Sequence, residues 1–279
     1  MTNAEKMDTS KKHENLVAYE GVELLSNFSP SEFERYCDHK LSTCDKHIQF
    51  IKNYCLSSNW QGVVCEVGSG NSKLLYRLEL EKLLTCGYGV EASYSRYQFA
   101  QKFKNYVAST KVKNINSDLF DLQPLQQCDM IIGVDVILQL ISPMSDNAEQ
   151  QLLSWCFTSL KEQGYLLLEM VDYSSIVAQL PLNDGMLQTW KKFPHSDPFE
   201  YILCKVFENE NRDLRWEKTF LKRNSLDKEY STNILRPYSK SQIINLLKET
   251  GFAQVSIFDK WCDDGEVDDN GEYIVLAQK

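Results

Sequence analysis

Between Gly62 and Ser72 the chain reads Gly-Val-Val-Cys-Glu-Val-Gly-Ser-Gly-Asn-Ser, and no other stretch restricts its fold as much. Val63, Val64, Cys65 and Val67 supply an apolar, β-branched run, the pattern of a strand buried on both faces. Gly68 and Gly70 follow at once. Glycine reaches positive φ without a Cβ clash and lets another group approach its backbone, so the pair fits a tight turn beside a ligand. Asn71 or Ser72 can cap a helix, and Lys73 to Leu84 have helical composition with Leu74, Leu75 and Leu78 on one face. Strand, glycine turn and helix in this order form one unit of an open α/β sheet.

Four more strands end in similar fashion. Gly87 to Val90 leads to Glu91, about 20 residues past Gly70, where such folds set an acid against ribose hydroxyls. Val112 to Ile115 runs into Asn116-Ser117-Asp118-Leu119-Phe120, Cys128 to Gly133 is followed by Asp135, and Gly164 to Leu168 ends at Glu169. Gly68, Glu91, Asp118, Asp135 and Glu169 are therefore expected along one rim, the carboxyl edge at which open sheets bind ligands. A nicotinamide fingerprint wants glycine at its sixth position, which here is Lys73, and this weighs against a dinucleotide oxidoreductase.

Glu66 completes Glu-x-Gly-x-Gly, and with it the chain resembles the class I S-adenosylmethionine-dependent methyltransferases over about residues 45–175 and again in its C-terminal segment. Their motif is acid-x-Gly-x-Gly-x-Gly; Ser72 occupies the third glycine place, which bears on how closely the helix can pack. The resemblance implies a Rossmann-like α/β fold: seven strands, mostly parallel, helices on both faces and an antiparallel last strand. It implies S-adenosylmethionine as cofactor and an oxygen or nitrogen of a small cytosolic metabolite as methyl acceptor. It further implies that Glu66 and the Gly68-Ser69-Gly70 backbone face the methionine end, that Glu91 holds the ribose, that Asp118 and the Leu119 amide read the adenine, and that Ala92 and Asp135 also border the cofactor. Tyr19 belongs to an N-terminal segment that often folds over the cofactor in this family. The alternative from a different class is a binding protein that keeps the fold and methylates nothing.

The net charge of −9, with no Lys/Arg run longer than two, argues against a nucleic-acid partner. Nine cysteines without a Cys-x-x-Cys spacing read as reduced thiols and a cytoplasmic location. Met130 to Ile141, the longest apolar run, is too short to span a bilayer. Residues 1–15 are polar, lack the apolar core of a signal peptide, and are expected to form a flexible tail.

The core is expected over 16–180 and 237–279, interrupted by an insertion at 181–236. Before the first strand, Cys37, Leu41, Cys44, Ile48, Ile51 and Cys55 recur at helical spacing and predict one amphipathic helix over 32–55. His39 and His47 lie in the same stretch, but the two cysteines share the buried stripe and His39 does not, so packing explains them better than zinc. Within the insertion, Phe199–Phe207, Leu214–Leu221 and a run ending at Ile234-Leu235-Arg236 predict three antiparallel strands, which the resemblance implies would cover the substrate pocket. Ser239-x-x-Gln242 is a capping box for a helix closed by Gly251, and Phe252–Phe258 with Tyr273–Ala277 would form the final hairpin. The acidic stretch 263–272 suggests a calcium loop; with Gly271 at its sixth position, however, Ala277 falls where a bidentate glutamate belongs, and a solvated turn fits better.

Methyl transfer from a sulfonium is an in-line displacement that depends mainly on positioning in a closed pocket. Asp135 and His195 are the candidates to take a proton from the acceptor, and Tyr173, Trp190, Tyr201, Trp216 and Tyr238 are candidates to line its pocket. The sequence carries no signal for oligomeric state.

Overall fold

A computed structural model describes residues 13–55, 60–125, 127–195, 197–259, 261 and 271–279. Most of the expected tail (1–12) and of the acidic stretch (262–270) lies outside the described residues. Helix α1 (Glu14–Glu20) begins inside the stretch expected to be loose, because the Asn15 side chain anchors it. Two helices, α2 (Pro30–Ser42) and α3 (Asp45–Tyr54), stand where one was expected. The chain turns at Thr43 and Cys44, yet both helices bury the same stripe, with Cys37, Cys44 and Ile51 fully enclosed, so the periodicity passes through the break unmarked.

The core then alternates strand and helix: β1 (Gly62–Val67), α4 (Lys73–Leu80), β2 (Leu84–Glu91), α5 (Tyr94–Tyr106), β3 (Val112–Asn116), β4 (Cys128–Gly133), α6 (Ile137–Ile141), α7 (Ala148–Ser159) and β5 (Leu160–Val171). Helix α4 stops earlier than its composition suggests. Lys82 takes a φ of 60°, and Leu84 already belongs to β2. After α8 (Ser174–Gln179) come β6 (Met186–Lys192), β7 (Phe199–Glu208), β8 (Leu214–Lys222) and β9 (Lys228–Leu235), an antiparallel sheet of four strands rather than three. The chain closes with α9 (Lys240–Thr250), β10 (Gln254–Phe258) and β11 (Glu272–Gln278). The capping box of Ser239 and Gln242 forms as expected, and Gly251 ends α9 at φ 115°.

The large sheet has seven strands in the order β10-β11-β5-β4-β1-β2-β3, with β11 antiparallel to both neighbours and β1 to β5 parallel. Its two faces bury separate cores. One is built on Phe50, Leu75, Phe99 and Met130 beneath α2 to α5; the other on Cys65, Ile131, Trp155 and Val275 beneath α6, α7 and α9. A third, small core of Leu140, Tyr173, Val206, Leu214 and Leu235 fastens the four-stranded sheet above the carboxyl edge.

Asn15 is the clamp between these parts. Its amide donates to the carbonyls of Leu140 (2.6 Å) and Ile234 (2.7 Å), and its oxygen accepts from the Ile234 amide (2.6 Å). Asn15→Ala strips three hydrogen bonds, one buried and two partly buried, and is expected to cost about 3 kcal/mol, read as a lowered denaturation midpoint at unchanged m-value.

Candidate functional site

The turn after β1 is strained in the manner its glycines allow. Gly68 and Gly70 have φ of 63° and 55°, and Ser72 matches them at 58° without a glycine's freedom. A Cβ on Gly68 would strike the Ile137 side chain, and one on Gly70 the Arg96 guanidinium. Asn71 accepts from the Lys73 amide (3.1 Å) and so caps α4, while the fully buried Ser72 donates to Asn114 Oδ1 (3.0 Å). Space for Ser72 comes from the neighbouring strand: a Cβ on Gly89 would sit 2.7 Å from Ser72 Oγ and 2.8 Å from Ser69 Oγ. Close helix packing is thus kept although the third motif glycine is missing.

Glu91, at the end of β2, is held by two backbone amides, from Gly70 (2.7 Å) and Ser93 (2.8 Å). Arg96 on α5 lies 4.0 Å from it, pairs with buried Glu23 (3.3 Å), and stacks over the Tyr19 ring at 5.3 Å. Burial opposes the Arg96 charge, but Glu23 and Glu91 outweigh it and raise its pKa. Helix α1 is tied to the same corner by Glu20, which accepts from the Tyr94 amide (3.1 Å), and by the Tyr19 carbonyl, which accepts from Ser93 Oγ (3.0 Å).

A cleft of about 290 Å³ opens above this turn. Tyr19, Gly68, Glu91, Ala92, Asp118, Leu119 and Asp135 all line it, so seven of the sequence-selected residues converge. Most of its remaining wall is apolar, including Val67, Val90, Ile137, Leu140 and Met144. Asp118 caps the short turn after β3, accepting from the Phe120 amide (3.1 Å), which sets the Leu119 and Phe120 side chains at the rim.

Beyond Gly68 the site becomes ionic. Glu66 is 2% exposed, and its Oε2 has no hydrogen-bond partner among the described residues. Burial pushes its pKa up to about 8, against the pull of Lys73. Asp135 and Val136 take consecutive left-handed conformations (φ 55° and 58°), costly for a β-branched residue and of the kind that collects at functional sites. The Asp135 side chain is 71% exposed on the cleft wall, and its carboxylate stands 3.8 Å from Lys73 Nζ. Lys73 holds it ionised, with a pKa down to about 2. Glu169 stands behind, accepting from the Asp135 amide (2.8 Å) and from Trp261 Nε1 (3.1 Å); burial, then the Asp135 charge, push its pKa up to about 7.

The remaining selections fall elsewhere. Ser69 and Gly70 belong to the turn but do not line the cleft. His195 occupies the β6–β7 loop, 3.5 Å from Arg223, in a separate depression with Arg35 and Asp197. Tyr238 is a core residue donating to Ser142 Oγ (2.7 Å). Trp190 and Tyr201 pack with their rings tilted at 57° and 5.9 Å apart, with Trp190 68% exposed, on the outward face of the four-stranded sheet. Tyr173 and Trp216 do face inward, their rings 6.0 Å apart, packed with Tyr19 and Val136. Arg96, Glu23, Asn15 and Phe120 escaped sequence reading, and Lys73 was read only as an obstacle. A basic residue three past the Ser93 helix cap was the sole hint of Arg96.

No protein-family model matches the chain, and no curated protein sequence does. Solved structures match well. A S-adenosylmethionine-dependent methyltransferase from Clostridium acetobutylicum superposes with a TM-score of 0.62 at 13% identity, covering 93% of this chain and 95% of that one. The CcbJ methyltransferase of Streptomyces caelestis gives 0.64 at 12% identity, covering 83% and 87%. The sugar N-methyltransferase KedS8 of a Streptoalloteichus species gives 0.55 at 11%, covering 88% and 87%. The chain therefore has the fold of the S-adenosylmethionine-dependent methyltransferases.

Proposed function

We propose that the chain is an S-adenosylmethionine-dependent methyltransferase acting on a nitrogen of a small molecule. The observation carrying this reading is the convergence of Glu91, Asp118 and Asp135 around one apolar cleft over the glycine turn. The cofactor suits these residues. Glu91, already anchored by two amides, would accept from the ribose hydroxyls; the Leu119 and Phe120 edge would flank adenine; and Glu66, which does not itself line the cleft, would face the methionine end with its unpartnered Oε2. When bound, the cofactor supplies an electrophilic methyl on a sulfonium.

The protein's own part is to orient and to exclude water. Asp135, an exposed carboxylate on the cleft wall with Lys73 at 3.8 Å, would accept a hydrogen bond from an amine N–H of the acceptor. The sugar N-methyltransferase among the similar structures agrees with a nitrogen acceptor. His195, apart from the cleft, has no place in the scheme.

Calorimetry with S-adenosylmethionine and with NAD tests the cofactor, and transfer of a tritiated methyl group to panels of amines and alcohols tests the reaction. Asp135→Asn is expected to lower kcat by about a hundredfold or more while cofactor affinity stays within a few-fold. Methylation of alcohols alone would refute the choice of nitrogen. Tight cofactor binding with no product from any acceptor would favour a binding protein instead.

A further inference from the structure

The four-stranded sheet turns one face to the core, and strand alternation identifies which residues look inward. Val206, Leu214 and Leu235 are inward, within the small core. The register pairs Val206 with Trp216, Trp216 with Asn233, and Cys204 with Lys218, so Trp216, Lys218 and Asn233 share that face. Their polar atoms are poorly matched. Lys218 Nζ donates to Asn233 Oδ1 (2.6 Å), and no carboxylate lies within ion-pairing distance of it among the described residues. Asn233 is 2% exposed with its Nδ2 unpartnered, and the buried Trp216 Nε1 is unpartnered as well.

Three donors thus share one face of the sheet, one of them a cation: Trp216 Nε1 has no acceptor among the described residues, and Asn233 Nδ2 has only the Tyr19 phenol beside it. Enclosing a charge without a counterion is costly, and an unsatisfied buried donor costs about 1–3 kcal/mol, so such a set is stable at lower cost once an anion fills it. Asn233 also stands beside the Tyr19 phenol, which lines the cleft within electrostatic reach of Asp135.

We propose that Lys218, Asn233 Nδ2 and Trp216 Nε1 bind an anionic oxygen group, a carboxylate or a phosphate, carried by the methyl acceptor. Resting on the function proposed above, this makes the acceptor a small amine with an acidic group: the anion at the roof of the site, the nitrogen at Asp135. Burial lowers the Lys218 pKa, in keeping with a cation that lacks its counterion.

The test uses the full chain with inorganic phosphate and with acetate as probes, at fixed ionic strength against chloride, followed by calorimetry and by the nitrogen-15 signal of the Lys218 ammonium. One probe is expected to bind saturably and to raise the Lys218 pKa, and which of them does so identifies the group. Lys218→Met should weaken this binding by about tenfold or more, the loss of one hydrogen bond to a charged group; Lys218→Arg should restore most of it, and Trp216→Phe should cause a smaller loss. S-adenosylmethionine affinity should be the same in Lys218→Met as in the unaltered chain. Absence of saturable binding by either probe, or binding indifferent to Lys218, overturns the proposal. Failure of S-adenosylmethionine to bind would instead strike the functional reading alone, since the anion measurements do not involve it.

Discussion

Glu91→Ala is expected to weaken S-adenosylmethionine binding by at least about a hundredfold, because the proposed ribose contact would lose two charge-assisted hydrogen bonds to a vicinal diol together. A second effect adds to the first. The carboxylate, 8% exposed, accepts from the Gly70 and Ser93 amides, so its removal leaves two donors unsatisfied and frees the glycine turn from the end of β2. Arg96 loses one counter-charge and keeps Glu23. Global stability should fall only modestly, since the Glu91 side chain itself belongs to neither core. Calorimetric titration alongside a thermal melt separates the two effects, and an affinity within threefold of the unaltered chain would remove the ribose assignment.

The second large effect is a dependence on pH. The Glu66 pKa rises from 4.5 to about 8 on folding, so between those values the folded chain holds a proton that the unfolded chain has released. The native state then binds more protons, and stability falls as pH rises through this window. The contribution is fully present below about pH 4.5 and lost above about pH 8. For so buried a group it amounts to something on the order of 3–5 kcal/mol. Glu169, pushed up to about 7, acts with the same sign. Glu66→Gln should therefore flatten, without abolishing, the decline in melting temperature from pH 5 to pH 8. Parallel profiles for the two proteins would show that Glu66 is not the group responsible.

The parallel strands were legible because burial on both faces leaves a short apolar run, as at Met130 to Gly133 and Val63 to Cys65. The carboxyl-edge acids followed from strand ends alone. What failed depended on contacts distant in sequence. Strand β6 is exposed along most of its length, Leu187 being its one half-buried residue, so it shows no alternation to read. Choosing Trp190 and Tyr201 for the acceptor pocket required the parity of that sheet, which only its packing on Leu140 and Tyr173 decides. The break between α2 and α3 is invisible because both bury one continuous stripe. Arg96 and Glu23, 73 positions apart, meet only after α1 and α2 have folded over α5.

The exchange of bulk between Ser72 and Gly89 bears on how distant relatives are recognised. A pattern written as consecutive letters scores the serine as a loss, although the void a third glycine would leave has only moved one strand over. Residues at these two places are expected to vary in concert, one small whenever the other is large, and a search that weighs them jointly would find kin that linear motifs overlook.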